Sequence, residues 1–187
     1  PHEFILLLNP WYPERIQQQY HRWAPLLGSN ALCVFRALPE TAEIRCPNQG
    51  IIRVSETLRN DVIDQLEPDF VLIGSLFEGM SDEFVCSIPP VRQYPVGVIG
   101  YDLIPLMSPD QYLGDPNIRD WYYRKLKSLK RADRIFAISE SARQEFEHLL
   151  APADGVVHTI STACDDGYHP LADAESQHGH VLQELGI

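Results

Sequence analysis

The sequence lacks most of the short motifs that announce a reaction. It contains no GxGxxG and no GxxxxGK[ST] loop, so neither a dinucleotide fingerprint nor a Walker phosphate loop is present. It contains no GxSxG elbow, which counts against an α/β-type hydrolase. The four cysteines (Cys33, Cys46, Cys86, Cys164) have no CxxC spacing, and the seven histidines have no HxxxH or HExxH spacing, which counts against a metal site. Cys33 lies in an apolar run and reads as a buried reduced thiol, which fits a cytoplasmic chain. The longest apolar run, residues 4–8, is too short to span a bilayer and follows no basic leader. No low-complexity tract or solenoid repeat occurs. A chain that opens on an apolar run at Pro1, without a Met, is expected to have lost sequence upstream.

Positive charge is also scarce. The formal net charge of −11 argues against nucleic-acid binding, which needs a basic footprint. What basic charge there is clusters. Seven of the fifteen Lys and Arg residues (Arg119, Arg124, Lys125, Lys127, Lys130, Arg131, Arg134) fall between positions 119 and 134. Ile118, Trp121, Tyr122, Leu126 and Leu129 run through them as a helical apolar stripe. The basic side of this helix, residues 117–131, is either a solvated face or a contact for anionic lipid headgroups or a diphospho-lipid acceptor.

What is plentiful is alternation. Short apolar, β-branched runs at residues 4–9, 32–36, 70–74, 96–99, 134–138 and 156–160 are bounded by Pro, Gly, Asp or Ser. Such runs read as strands of a parallel sheet covered on both faces. Helical patterns separate them. Pro13 suits a first helical turn, followed by Ile16, Tyr20, Trp23 and Leu27. Val54, Leu58, Val62 and Leu66 mark an apolar stripe that Pro68 ends. Ser139 suits the N-cap of a helix running to about Leu150, and a last helix is expected over 174–185. The order predicts an α/β, Rossmann-like, doubly wound sheet with helices on both faces.

Ligands of such sheets bind beyond the carboxyl ends of the strands. Asn9, then Ser75 to Gly79, Tyr101 with Asp102, Ser139 to Ser141, and Ser161 and Thr162 with Asp165 follow successive predicted strands. Together they predict a rim of hydroxyls and carboxylates without a lysine or arginine, suited to a polyhydroxylated ligand. Glu78, after the exposed-looking Phe77, reads as a partner for ligand hydroxyls or as a solvated loop carboxylate. Asp102 is squeezed between apolar residues, where an ionised group needs partners. Ser139 reads as a helix cap whose helix N-terminus could also hold a ligand.

Several runs carry a resemblance. Tyr101-Asp102-Leu103-Ile104-Pro105-Leu106, Trp121-Tyr122-Tyr123-Arg124-Lys125-Leu126, Lys130-Arg131-Ala132-Asp133 and Ala137-Ile138-Ser139-Glu140-Ser141-Ala142-Arg143 resemble the N-terminal domain of family 4 glycosyltransferases. The stretch from Pro68 to Gly79 is similar to the subgroup that builds bacterial surface polysaccharides with mannose or a deoxyhexose, and Ile160 to Pro170 to the segment before the interdomain hinge. The resemblance implies a GT-B fold and a retaining hexosyltransferase at the inner face of the cell membrane. It implies an acceptor-side domain over 1–170, a linker helix over 171–187, and a further domain that holds a GDP- or dTDP-type sugar donor. It implies a saccharide or lipid-linked saccharide acceptor, no other cofactor and no metal. Glu78, Tyr101 and Asp102 match positions lining the acceptor cleft, with Ser139 and Glu140 on its wall. Tyr101 stands where many relatives carry a histidine, and it lies with Asp102 nearest the reacting centre. By this resemblance the chain alone is half of a site and inactive.

Overall fold

All six expected strands are present, and every pairing between them is parallel. The structure is a computed structural model that describes residues 2–9, 11–28, 30–44 and 48–161. The expected helix at 174–185, the 170/171 boundary, Thr162, Asp165, Cys46 and Cys164 lie outside the described residues.

The elements run β1 (Leu6–Leu8), α1 (Pro13–Leu27), β2 (Leu32–Val34), α2 (Gln49–Gln65), β3 (Val71–Ile73), β4 (Val96–Gly100), α3 (Ile104–Met107), α4 (Pro109–Tyr112), α5 (Pro116–Leu129), β5 (Arg134–Ala137), α6 (Glu140–Leu150) and β6 (Val157–Thr159). Local chemistry sets the helix starts. The Asn48 and Asp115 side chains accept backbone N–H groups at the starts of α2 and α5, and Ser139 Oγ accepts from the Ala142 amide at 3.1 Å. Pro13 and Pro116 sit in first turns, where the missing N–H costs nothing. The short helices α3 and α4 were not visible as a periodic pattern, because four residues make too little of one.

The strands form two ladders. β1 pairs with β2, while β3-β4-β5-β6 form a four-stranded sheet in sequence order. Loop contacts tie the first ladder's segment to the second. The Glu43 and Ile44 amides donate to the Gly79 and Met80 carbonyls, and the Thr41 amide donates to the Glu83 carboxylate at 2.6 Å.

One face of the larger sheet (Ile73, Val96, Val98, Ile135, Ala137, Val157) is the core, packed by Ile63 of α2, Leu126 and Leu129 of α5, and Phe146 of α6. The opposite face carries Phe70, Leu72 and Phe136, and Leu72 is 56% exposed. Apolar runs therefore read as strands here even though the described residues leave part of this second face open.

The α2 stripe is corrected. Val54 is 48% exposed and Leu58 and Leu66 are exposed as well, whereas Ile52, Ser55, Arg59 and Ile63 face inward. The reason is that α2 packs on chain segments without sheet partners, whose buried backbone groups need polar side chains. Ser55 Oγ accepts from the Leu38 amide at 2.9 Å, and Arg59 donates to the Ser87 carbonyl at 3.3 Å.

The same need explains much of the basic segment. Residues 86–88 carry no ladder, and Lys125 Nζ donates to the Cys86 carbonyl at 2.8 Å while Arg131 donates to the Ile88 carbonyl at 2.9 Å. Lys125 is 7% exposed, and burial pushes its pKa down against the opposing fields of Cys86 and Glu56. Arg124 is paired with Glu43. Arg119, Lys127 and Lys130 stay exposed. Of the free cysteines, Cys86 is buried, while Cys33, expected to be buried, is only half-buried.

Candidate functional site

The carboxyl ends of β3 and β4 are adjacent because these strands pair in register, Ile73 opposite Val98. That register brings Ser75, Leu76 and Phe77 beside Tyr101 and Asp102, around a cavity of about 270 Å³. Trp121 and Tyr122 of α5 and Phe146 of α6 close it. Phe77, Trp121 and Tyr122 form an aromatic wall, with Phe77 and Tyr122 centroids 5.0 Å apart and Phe77 and Trp121 centroids 6.3 Å apart. Phe77 is therefore half-buried in this cluster and not the exposed aromatic it resembled in sequence.

Gly100 ends β4 beneath the cavity for reasons of space. A Cβ there would lie 2.6 Å from the Phe146 ring. Gly79, at the far end of the β3 loop, has φ +91° and a backbone carbonyl where a Cβ would sit, so it needs glycine on both counts.

The residues singled out in the sequence separate into two groups. Tyr101 and Asp102 line the cavity. Asp102 is exposed and not squeezed among apolar groups, because the chain turns outward after β4. Its Oδ1 accepts from the Ile104 amide at 3.1 Å. Glu78 lies beside the cavity. Its carboxylate accepts from Ser75 Oγ at 2.7 Å, and its carbonyl from Trp121 Nε1 at 3.4 Å.

Ser139 and Glu140 lie at the ends of β5 and β6, and neither lines the cavity. The rim does contain a cation: Arg143 pairs with Glu140 and Glu147. Arg143 and the Thr159 hydroxyl, 2.9 Å away, hold the Glu140 carboxyl down to about 2. Asn9 is engaged with the Trp11 amide and the Glu83 carbonyl.

Sequence reasoning passed over three contributors. Trp121 and Tyr122 were assigned to a helical stripe, and nothing in that periodicity says the stripe's first turns reach the sheet edge. Glu145 of α6 accepts from the Leu103 amide at 3.2 Å and so braces the loop carrying Asp102. The Tyr122 hydroxyl is buried without a hydrogen-bond partner among the described residues. Burial, then the charges of Asp102 and its neighbours, raises its pKa.

A larger groove of about 740 Å³ lies between α2, residues 86–90 and α5, away from the strand ends. Of the five cations lining it, Arg124, Lys125 and Arg131 are engaged with Glu43 and with the carbonyls of 86 and 88, while Arg53 and Lys127 are exposed.

The chain is similar to part of a mannosyltransferase. A serotype-specific mannosyltransferase WbdA of Escherichia coli is 34% identical over 186 residues, covering 98% of this chain and 23% of the relative. Two further proteins of that name and organism are 36% identical over 169 residues, or 89% of this chain and 21% and 20% of theirs. The chain thus spans between a fifth and a quarter of the curated relatives it matches. No family model and no solved structure matches it. No helix among the described residues is long and apolar enough to cross a membrane.

Proposed function

We propose that this chain is the acceptor-binding part of a retaining hexosyltransferase of mannosyl or deoxyhexosyl type that builds a bacterial surface polysaccharide. The observation that carries the proposal is likeness to mannosyltransferases over nearly the whole chain, joined to an aromatic-walled cavity at the sheet's carboxyl edge. Residues 1–170 form the acceptor side and 171–187 a connection to further chain that holds a GDP- or dTDP-activated sugar. The enzyme works at the cytoplasmic face of the membrane, and the exposed Arg119, Lys127 and Lys130 of the basic helix provide any contact with anionic lipid.

In this reading Asp102 and Tyr101 orient the acceptor hydroxyl, and Glu78, held by Ser75, supports the neighbouring loop. Ser139 and Glu140 form a further part of the cleft wall, along the same strand-end edge but outside the cavity. Closure of the donor-binding part over this edge excludes water, so the glycosyl group passes to a sugar hydroxyl instead of solvent. No cofactor beyond the sugar nucleotide is needed.

The test is transfer by the full-length enzyme with a panel of nucleotide sugars. Activity with a hexose or deoxyhexose donor is expected, and Asp102→Ala is expected to lower kcat/KM more than tenfold, or ~1.4 kcal/mol. No transfer from any donor overturns the proposal, and wild-type activity in the variant removes Asp102 from the site.

A further inference from the structure

We infer that the cavity at the ends of β3 and β4 takes a single neutral sugar ring and that Asp102 is the residue that keeps anionic sugars out. This rests on the acceptor reading above and adds the chemical class of the acceptor's terminal unit.

Size comes first. A cavity of about 270 Å³ lies just below the range of roughly 300–1,000 Å³ that encloses drug-sized ligands, so the enclosed part suits one pyranose ring. Chemistry comes second. The lining is largely apolar and aromatic, including Leu76, Phe77, Trp121, Tyr122 and Phe146, with accessible polar side chains from Ser75, Tyr101 and Asp102. A pyranose matches this division, since its C–H face packs on aromatic rings while its hydroxyls meet the few polar groups.

Charge decides the class. Asp102 is the one acidic residue among those lining the cavity, and no lysine or arginine lines it. The nearby cations are engaged elsewhere: Arg143 with Glu140 and Glu147, and Arg124 with Glu43. Glu145, on the neighbouring helix, adds a second negative charge beside the same loop. Burial raises the pKa of the Tyr122 phenol, and the negative charge of Asp102 raises it further, which keeps that phenol neutral beside the cavity. A ligand carboxylate brought here would face like charge without a counter-ion.

The experiment uses the full-length enzyme and two probes of one ring shape, methyl mannoside and its uronic acid, with dissociation constants from NMR titration. Mannoside binding is expected, with the uronic acid at least about tenfold weaker; Asp102 is exposed, so solvent and salt screen the larger low-dielectric penalty. Asp102→Asn keeps an oxygen for the Ile104 amide while removing the charge, and it is expected to bring the two probes within about threefold. Equal binding of the two by the wild-type protein, or a discrimination unchanged in the variant, overturns the assignment. So does failure of both probes to bind. Transfer activity measured separately then tells whether the acceptor reading fails with it.

Discussion

Gly100→Ala tests how the core supports the cavity. Gly100 is the last residue of β4 and directly precedes Tyr101. Its φ is not positive, so the backbone does not require glycine there. Space does. An added Cβ would lie 2.6 and 2.7 Å from two ring atoms of Phe146 and 3.0 Å from Ile135 Cγ2. Phe146 is 1% exposed and packed in the core, so its ring can give way only toward the cavity that it also lines. Overpacking of this kind costs about 1–3 kcal/mol. Stiffening of the unfolded chain by Gly→Ala returns about 0.4–1 kcal/mol. At the midpoints of these ranges the net loss is about 1.3 kcal/mol, which lowers Tm by about 3–5 °C for a chain of this length. Thermal unfolding followed by far-UV circular dichroism measures it.

A partner variant sharpens the test. Phe146→Leu removes the atoms that clash, so in the double variant the two losses should sum to less than their separate values, with a coupling of at least ~0.5 kcal/mol. An unchanged Tm for Gly100→Ala, or strict additivity in the double variant, would refute the packing account.

Three further outcomes are expected. Ser139→Ala removes the cap on the Ala142 amide and should cost ~1 kcal/mol in urea unfolding, with the fold kept. Tyr122→Phe should leave Tm unchanged or slightly raised, since its hydroxyl has no hydrogen-bond partner among the described residues; a loss above ~1 kcal/mol would show a bond that this geometry lacks. Burial holds the Glu56 pKa above the ordinary glutamate value despite the attraction of Lys125, so the folded state binds its proton more tightly than the unfolded state. That contribution is fully present below the unfolded pKa and is lost as pH rises through the folded one. Glu56→Gln should therefore flatten the fall in unfolding free energy over that window, and an unchanged pH profile would remove Glu56 as its source.

The strands and helix starts were legible because their causes are local. A run such as Phe70 to Gly74 is apolar and β-branched wherever it packs, and Asn48, Asp115 and Ser139 cap the residues just after them. The face that a helix buries is a different matter. The stripe Val54, Leu58, Val62, Leu66 has helical spacing, yet α2 turns Ser55 and Arg59 inward because the segments beneath it, near Leu38 and Ser87, have backbone groups to satisfy. No local pattern encodes that demand, which arises only when distant chain arrives. The basic segment follows the same rule, its Lys125 and Arg131 being drawn inward by the Cys86 and Ile88 carbonyls.

The sequence by itself determined a parallel α/β chain with polar groups after its strands, since strand propensity, capping and proline placement act between neighbours along the chain. Only the tertiary structure decided which of those groups meet. Register places the ends of β3 and β4 side by side, so Ser75 and Asp102 share a cavity, while Ser139 and Glu140 close a separate cluster around Arg143. Two of the three rings in the cavity's aromatic wall, Trp121 and Tyr122, come from α5, a helix whose stripe gave no sign of where its first turns would land. Pairing register and helix docking join residues dozens of positions apart, and the physical cause lies in the packing of whole elements against one another.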